Sequence, residues 1–270
     1  MIPRWLAVTM LSTAAAGCSG EYILTAPDVA AMPGGTAPLV VRLQRREFWF
    51  YTPVEPDAPI TFGFAEDAVR CGRTGPDGYT SVAVGVPERP GRYRVSLHYQ
   101  DRQGETASGR ADVFVLSPDR PIVAVDLDSL PTGRSGSGAA AAALIRMQRR
   151  AQLVYVTEER AGEPVAGHAL LTGAGLPDAA VLPWTRRRWW KVGPWWRGDS
   201  TAEPLVALQE RLPRLVAGVT TDTGAAETFY RAGLKPLIVG RTSSGVASAE
   251  HFASWADLAL PPPTTMPSAP

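Results

Sequence analysis

At Ser117-Pro118-Asp119-Arg120-Pro121 the hydrophobic pattern changes period, and two architectures in one polypeptide follow from that change. Upstream, from Pro38 to Leu116, the chain falls into short runs rich in Val, Phe, Tyr and Thr: PLVVRLQ, EFWFYTPV, PITFGF, TSVAVGV, RYRVSLHY and ADVFVL. In RYRVSLHY the apolar Tyr93, Val95, Leu97 and Tyr99 alternate with Arg94, Ser96 and His98, which gives a strand one apolar face. The intervening GPDG (75–78), PERPG (87–91) and DRQGE (101–105) carry the Gly, Pro and Asp residues that tight turns need. Short strands at this spacing predict a β-sandwich over residues 20–118.

Downstream, apolar runs alternate with helical stretches. IVAVD (122–126) leads through a Gly/Ser-rich loop to an Ala-rich helix over 139–150, and LVYVT (153–157) is followed by a helix near 163–173. AVLPW (180–184), a helix around 202–211, RLVAGVTTD (214–222), a helix near 225–233 and PLIVG (236–240) complete the series. Runs apolar on every residue are strands buried on both faces, so 121–260 is expected to form a parallel, doubly wound α/β domain. The last ten residues, PPPTTMPSAP (261–270), are too rich in Pro to pack and are expected to be disordered.

Composition narrows the function classes. With 27 Lys and Arg against 26 Asp and Glu, the formal charge is +1, which disfavours a nucleic-acid-coating role. Two cysteines, no CxxC and three scattered histidines offer neither a zinc framework nor a disulfide scaffold, so a metal, if present, is expected on oxygen ligands. The start, MIPRWLAVTMLSTAAAGC, places Arg4 before a short apolar stretch and small residues before Cys18; it resembles a bacterial lipoprotein signal over 1–18, with Cys18 as the lipidated residue. That resemblance implies an extracytoplasmic, membrane-anchored protein and leaves Cys71 without a partner, as a small buried hydrophobe. The stretch TGPDGYTSVAVGVPERPGRYRVSLHY is similar to bacterial immunoglobulin-like domains, with a DG turn before one strand and a Pro-Gly turn before an aromatic one.

In open parallel sheets, ligands sit outside the carboxyl ends of the strands. Here those ends are acidic or hydroxylic: Asp126 with Asp128 two residues on, Thr157, and Asp222 with Glu227 five residues on. VAVDLDSL, LVYVT and TDTGAAE, in that order at strand ends, resemble the first, second and fourth motifs of the haloacid-dehalogenase-like phosphatases, in the small-cap form akin to lipin-type catalytic domains, over residues 121–241. The resemblance implies that Asp126 attacks phosphorus to give an aspartyl-phosphate, and that Asp128 protonates the leaving alkoxide and then activates water. It further implies that Thr157 binds the phosphoryl oxygens, and that magnesium sits on Asp126, Asp128, Asp222 and Glu227. Two departures stand out: Ser129 and Leu130 follow the DxD, and STAEPLVALQERL has no Lys where the third motif carries one.

WTRRRWWKVGPWWR (184–197) holds five of the eight tryptophans among five cations. Arg186, Arg188, Trp189, Lys191 and Trp195 are candidates for binding a phosphorylated small molecule or a lipid headgroup, the alternative being indoles that pack while the cations stay wet. The expected function is therefore a lipid-anchored, magnesium-dependent phosphomonoesterase. The alternative is a catalytically degenerate envelope protein of the same fold with a binding or structural role.

Overall fold

In the computed structural model, residues 21–46, 53–64, 68–131, 134–159, 167–186, 203–240, 245–246 and 248–260 are described. The N-terminal strands are β1 (Glu21–Thr25), β2 (Val29–Ala31), β3 (Thr36–Arg46), β4 (Pro59–Phe64), β5 (Ala68–Arg73), β6 (Tyr79–Gly85), β7 (Gly91–Gln100) and β8 (Thr106–Val115). They form a three-stranded sheet, order β1-β3-β6, and a five-stranded sheet, order β2-β8-β7-β4-β5. Pairing is antiparallel for β1 with β3 and for β4 with β5 and β7, and parallel for β2 with β8. The period-2 pattern of β7 is realised from Arg94 onward, and Tyr93 is half-buried. Val95, Leu97 and Tyr99 are buried, while Arg94, Ser96 and His98 face water. Gly78 closes the turn before β6 at φ +74, a conformation only glycine adopts without strain, and an added Cβ would lie 2.8 Å from both Leu43 O and Val54 Cβ. Cys71 is exposed rather than buried. It pairs with Thr61, and because the next residue, Phe62, is 1% exposed, alternation turns the Thr61–Cys71 pair to the other face.

The rest of the chain reads β9 (Ile122–Asp126), α1 (Arg134–Gln148), β10 (Gln152–Glu159), α2 (Gly167–Gly173), β11 (Ala180–Arg186), α3 (Glu203–Arg211), β12 (Leu215–Thr220), α4 (Thr223–Arg231), β13 (Lys235–Val239) and β14 (Glu250–Phe252). The six strands form one sheet, order β11-β10-β9-β12-β13-β14, and every pairing in it is parallel. The chain is thus of mixed α/β class, with antiparallel sheets and a parallel sheet.

Alternate residues of the parallel strands feed two separate cores. Val123, Val125, Leu153, Tyr155, Val181 and Val219 pack with Leu144 and Met147 of α1 and Leu171 of α2. Ile122, Ala124, Val154, Val156 and Leu182 pack with Leu205 and Leu208 of α3 and Phe229 of α4, together with Ala30, Phe114 and Leu116. Helices therefore cover both faces, which is why these strands read as unbroken apolar runs. Gly218 lets Phe229 seat on β12, since a Cβ there would meet the ring at 2.3 to 2.5 Å.

The described residues fall into two compact units, one drawn from Met1–Ala26, Pro38–Val82 and Arg94–Ala111, the other from Pro27–Ala37, Ala83–Tyr93 and Asp112–Pro270. Asp28, Arg92 and Asp112 thus belong to the same unit as the parallel sheet.

Candidate active site at the ends of the central strands

Winding runs outward in both directions from the adjacent β9 and β12, so their carboxyl ends are the topological switch point where open α/β sheets leave a crevice. β9 is buried on all five residues and delivers Asp126 there at 3% exposure. β12 ends on Thr220, which is fully buried and donates from Oγ1 to Asp126 Oδ2 at 2.8 Å. Asp126 Oδ1 accepts the backbone N–H of Asp128 at 3.2 Å. Burial raises the Asp126 pKa, the Thr220 and Ser129 hydrogen bonds work against that shift, and the Asp128 charge adds to it. Among the described residues, none of the ion pairs includes Asp126.

Hydroxyl groups tie the two strand ends together. Ser129 Oγ donates to Asp126 O at 3.1 Å and accepts Thr221 N–H at 3.2 Å, while Thr221 Oγ1 donates to Ser129 O at 2.9 Å. Thr220 Oγ1 also accepts the Asp222 N–H at 2.9 Å, so a single hydroxyl bridges the carboxylate of one motif and the backbone of the other. Ser129 is thus a structural joint of the site. Thr220 and Thr221 were not singled out from the sequence, although TT before Asp222 at a strand end was the available signal.

Asp128 is exposed and accepts the Thr157 hydroxyl at 2.9 Å on Oδ1 and 3.1 Å on Oδ2, which joins the ends of β9 and β10. Asp222, also exposed, is the N-cap of α4: its Oδ1 accepts Ala225 N–H at 2.8 Å. Glu227 lies one turn into α4, where it pairs with Arg231 at 2.5 Å. The structure therefore gathers Asp126, Asp128, Thr157 and Asp222 at three neighbouring strand ends and engages Glu227 elsewhere. Helix α3 offers no ammonium group, and its Arg211 turns back onto Ala207 O at 3.3 Å. Cys18, Arg188, Trp189, Lys191 and Trp195 lie outside the described residues, as does the side chain of Arg186 and the tail 261–270.

Magnesium suits this donor set. Asp126 brings a buried carboxylate whose charge no described cation meets, Asp222 brings a second at the adjacent strand end, and hard oxygen ligands with several waters are what the ion takes. A different group could also hold a metal ion: one ligand atom each from Asp28, Asp112 and His168 lie within 4.8 Å of one another.

No protein-family model matches the chain, and no curated protein matches it. Among solved structures it is similar over 51% of its length, and 94% of that chain, to D,D-heptose 1.7-bisphosphate phosphatase from B. bronchiseptica complexed with magnesium and phosphate, at 14% identity and a TM-score of 0.35. The titin M3 domain is matched over 36% of this chain and 98% of that one, at 8% identity and a TM-score of 0.26. A carbohydrate acetylesterase from Xanthomonas citri is matched over 80% and 60%, at 15% identity and a TM-score of 0.33. The phosphatase is thus a weak structural neighbour of this chain, alike over half its length.

Proposed function

We propose that the unit built on the parallel sheet is a haloacid-dehalogenase-like phosphatase that hydrolyses phosphomonoesters with magnesium, and that Cys18 anchors the chain by lipid outside the cytoplasm. The observation that carries the enzymatic reading is Asp126: a buried carboxylate at the switch point, held by the Thr220 hydroxyl and balanced by no described cation. Its remaining lone pairs face the chemistry of a nucleophile. A carboxylate oxygen of Asp126 would form a bond to phosphorus as the ester oxygen leaves, and Asp128 would give that oxygen its proton. Water would then attack the aspartyl-phosphate, with Asp128 taking a proton back, so that inorganic phosphate departs and both carboxyl groups return to their starting forms. The Thr157–Asp128 bond suits this exchange. When Asp128 carries the proton it can donate to Thr157 Oγ1, which frees the threonine hydroxyl to donate to a phosphoryl oxygen. Magnesium, held by Asp126 and Asp222, would supply neutralisation of phosphate charge.

A degenerate fold with a binding role is the second reading. It is favoured by the absence of a lysine from α3. Phosphate release from a broad ester panel with magnesium, manganese or cobalt decides between the two: no release from any ester removes the enzymatic reading. No helix among the described residues is long and apolar enough to cross a membrane. The test is detergent partitioning, which Cys18→Ser should abolish and which equal partitioning of both forms would contradict.

A further inference from the structure

We propose that Asp28, Asp112 and His168 form a binding site for a first-row transition-metal dication, zinc being the fitting ion, separate from the Asp126 group. The three residues come from the segment before β2, from β8 and from the first turn of α2, all within one compact unit. Their ligand atoms lie within 4.8 Å of one another although the residues are far apart in the chain. Two carboxylates and one imidazole are a mixed oxygen and nitrogen set, which magnesium and calcium do not select and zinc does.

The surroundings have the construction of a metal site's outer shell. Asp178 Oδ1 stands 3.4 Å from His168 Nδ1, so the ring can give that N–H to a carboxylate and turn Nε2 toward Asp28 at 2.7 Å. A carboxylate on the far nitrogen is the usual device that fixes a metal-binding histidine. Phe114 lies parallel to the His168 ring at 6.0 Å between centroids and holds its plane. Val181 N–H donates to Asp28 Oδ2 at 2.7 Å, and Arg92 donates to Asp112 Oδ2 and Asp178 Oδ2, each at 2.7 Å.

Charge and access agree with this assignment. Asp28, Asp112 and Asp178 set three carboxyl groups against the guanidinium of Arg92, an acid-rich surrounding that suits a dication. The Asp28 and Asp112 side chains are 8% and 7% exposed, whereas His168 is 33% exposed and opens the way in. The Nε2–Asp28 hydrogen bond needs a proton on one partner, and the ion takes that proton's place.

The test uses the full chain, stripped with a chelator, loaded with Zn2+ and dialysed. One zinc per chain and a melting temperature several degrees higher with zinc are expected of the wild type. His168→Gln and Asp112→Asn should each lose the bound zinc and the thermal shift, with circular dichroism showing His168→Gln still folded. Asp126→Asn should keep both. Failure of the wild type to retain zinc overturns the proposal, as does equal retention by His168→Gln or loss of zinc in Asp126→Asn. Because the readout is metal content, it stands whether or not the chain hydrolyses phosphate esters.

Discussion

Asp126 and Asp112 are buried to nearly the same degree, at 3% and 5% exposure, yet their electrostatic surroundings differ. Asp112 receives a guanidinium at 2.7 Å, and that guanidinium reaches on to Asp178. Among the described residues Asp126 receives neutral donors, the Thr220 and Ser129 hydroxyls and a backbone N–H. Neutral donors satisfy lone pairs without cancelling charge, so among the described residues Asp126 has no cationic partner, while Asp112 is part of a charge network. The difference teaches that equal burial can go with opposite surroundings, one acid beside a guanidinium and the other beside neutral donors alone.

Removing the Asp126 carboxylate bears on this comparison most heavily. Asp126→Asn keeps the shape and the Thr220 contact, so hydrolysis of phosphate esters should fall by roughly a thousandfold or more while the fold persists, as followed by phosphate release and circular dichroism. Wild-type activity in that variant would show that Asp126 is not the nucleophile. The other region should respond in stability instead. Arg92→Gln leaves Asp112 buried without its cation, and a loss of about 2 kcal/mol is expected in urea unfolding, below the cost of a fully buried pair because Arg92 is 37% exposed. No change there would mean that the guanidinium contributes nothing to the network.

The pH dependence sharpens the contrast. Burial raises the Asp126 pKa, so between the unfolded and folded values the native state binds more protons than the unfolded one, and stability falls as pH rises through that window. In chelator at pH 7, Asp126→Asn should therefore melt above the wild type, and the gap should close as the buffer is taken down through the ordinary carboxylate range. A gap that widens on acidification would reverse the sign and refute the reading. The smallest effect belongs to Asp222. Asp222→Ala removes the α4 cap and should cost about 1 kcal/mol in thermal unfolding, whereas Asp222→Asn keeps the cap and should lose only activity that higher magnesium partly restores. Equal destabilisation by both substitutions would show that charge, not capping, is what Asp222 contributes to the helix.

Much of the architecture was legible in the chain because burial imposes a period. Strands covered on both faces must be apolar at every residue, so β9, β10, β12 and β13 were visible as runs, and the strand with one wet face, β7, was visible as an alternation. Strands β2 and β14 have three residues each, too few to carry a period, and β5 breaks its alternation with Arg70, Gly72 and Arg73. Asp126, Asp128, Thr157 and Asp222 could be named as neighbours in advance, since strand ends in a parallel sheet converge by topology alone.

What only tertiary structure decided is which groups face one another across the chain. Thr220 gave no sign of holding Asp126, since a hydroxyl donates to whatever acceptor the packing brings within reach, and the two residues stand 94 positions apart. The scattered histidines pointed away from any nitrogen-ligated metal, yet the fold sets His168 beside Asp28, 140 residues earlier, with Asp112 and Asp178 around it. Periodicity records the face on which a residue is buried. It carries no record of the partner it meets there, because that depends on how separate segments pack, and electrostatic sites are made of such partnerships.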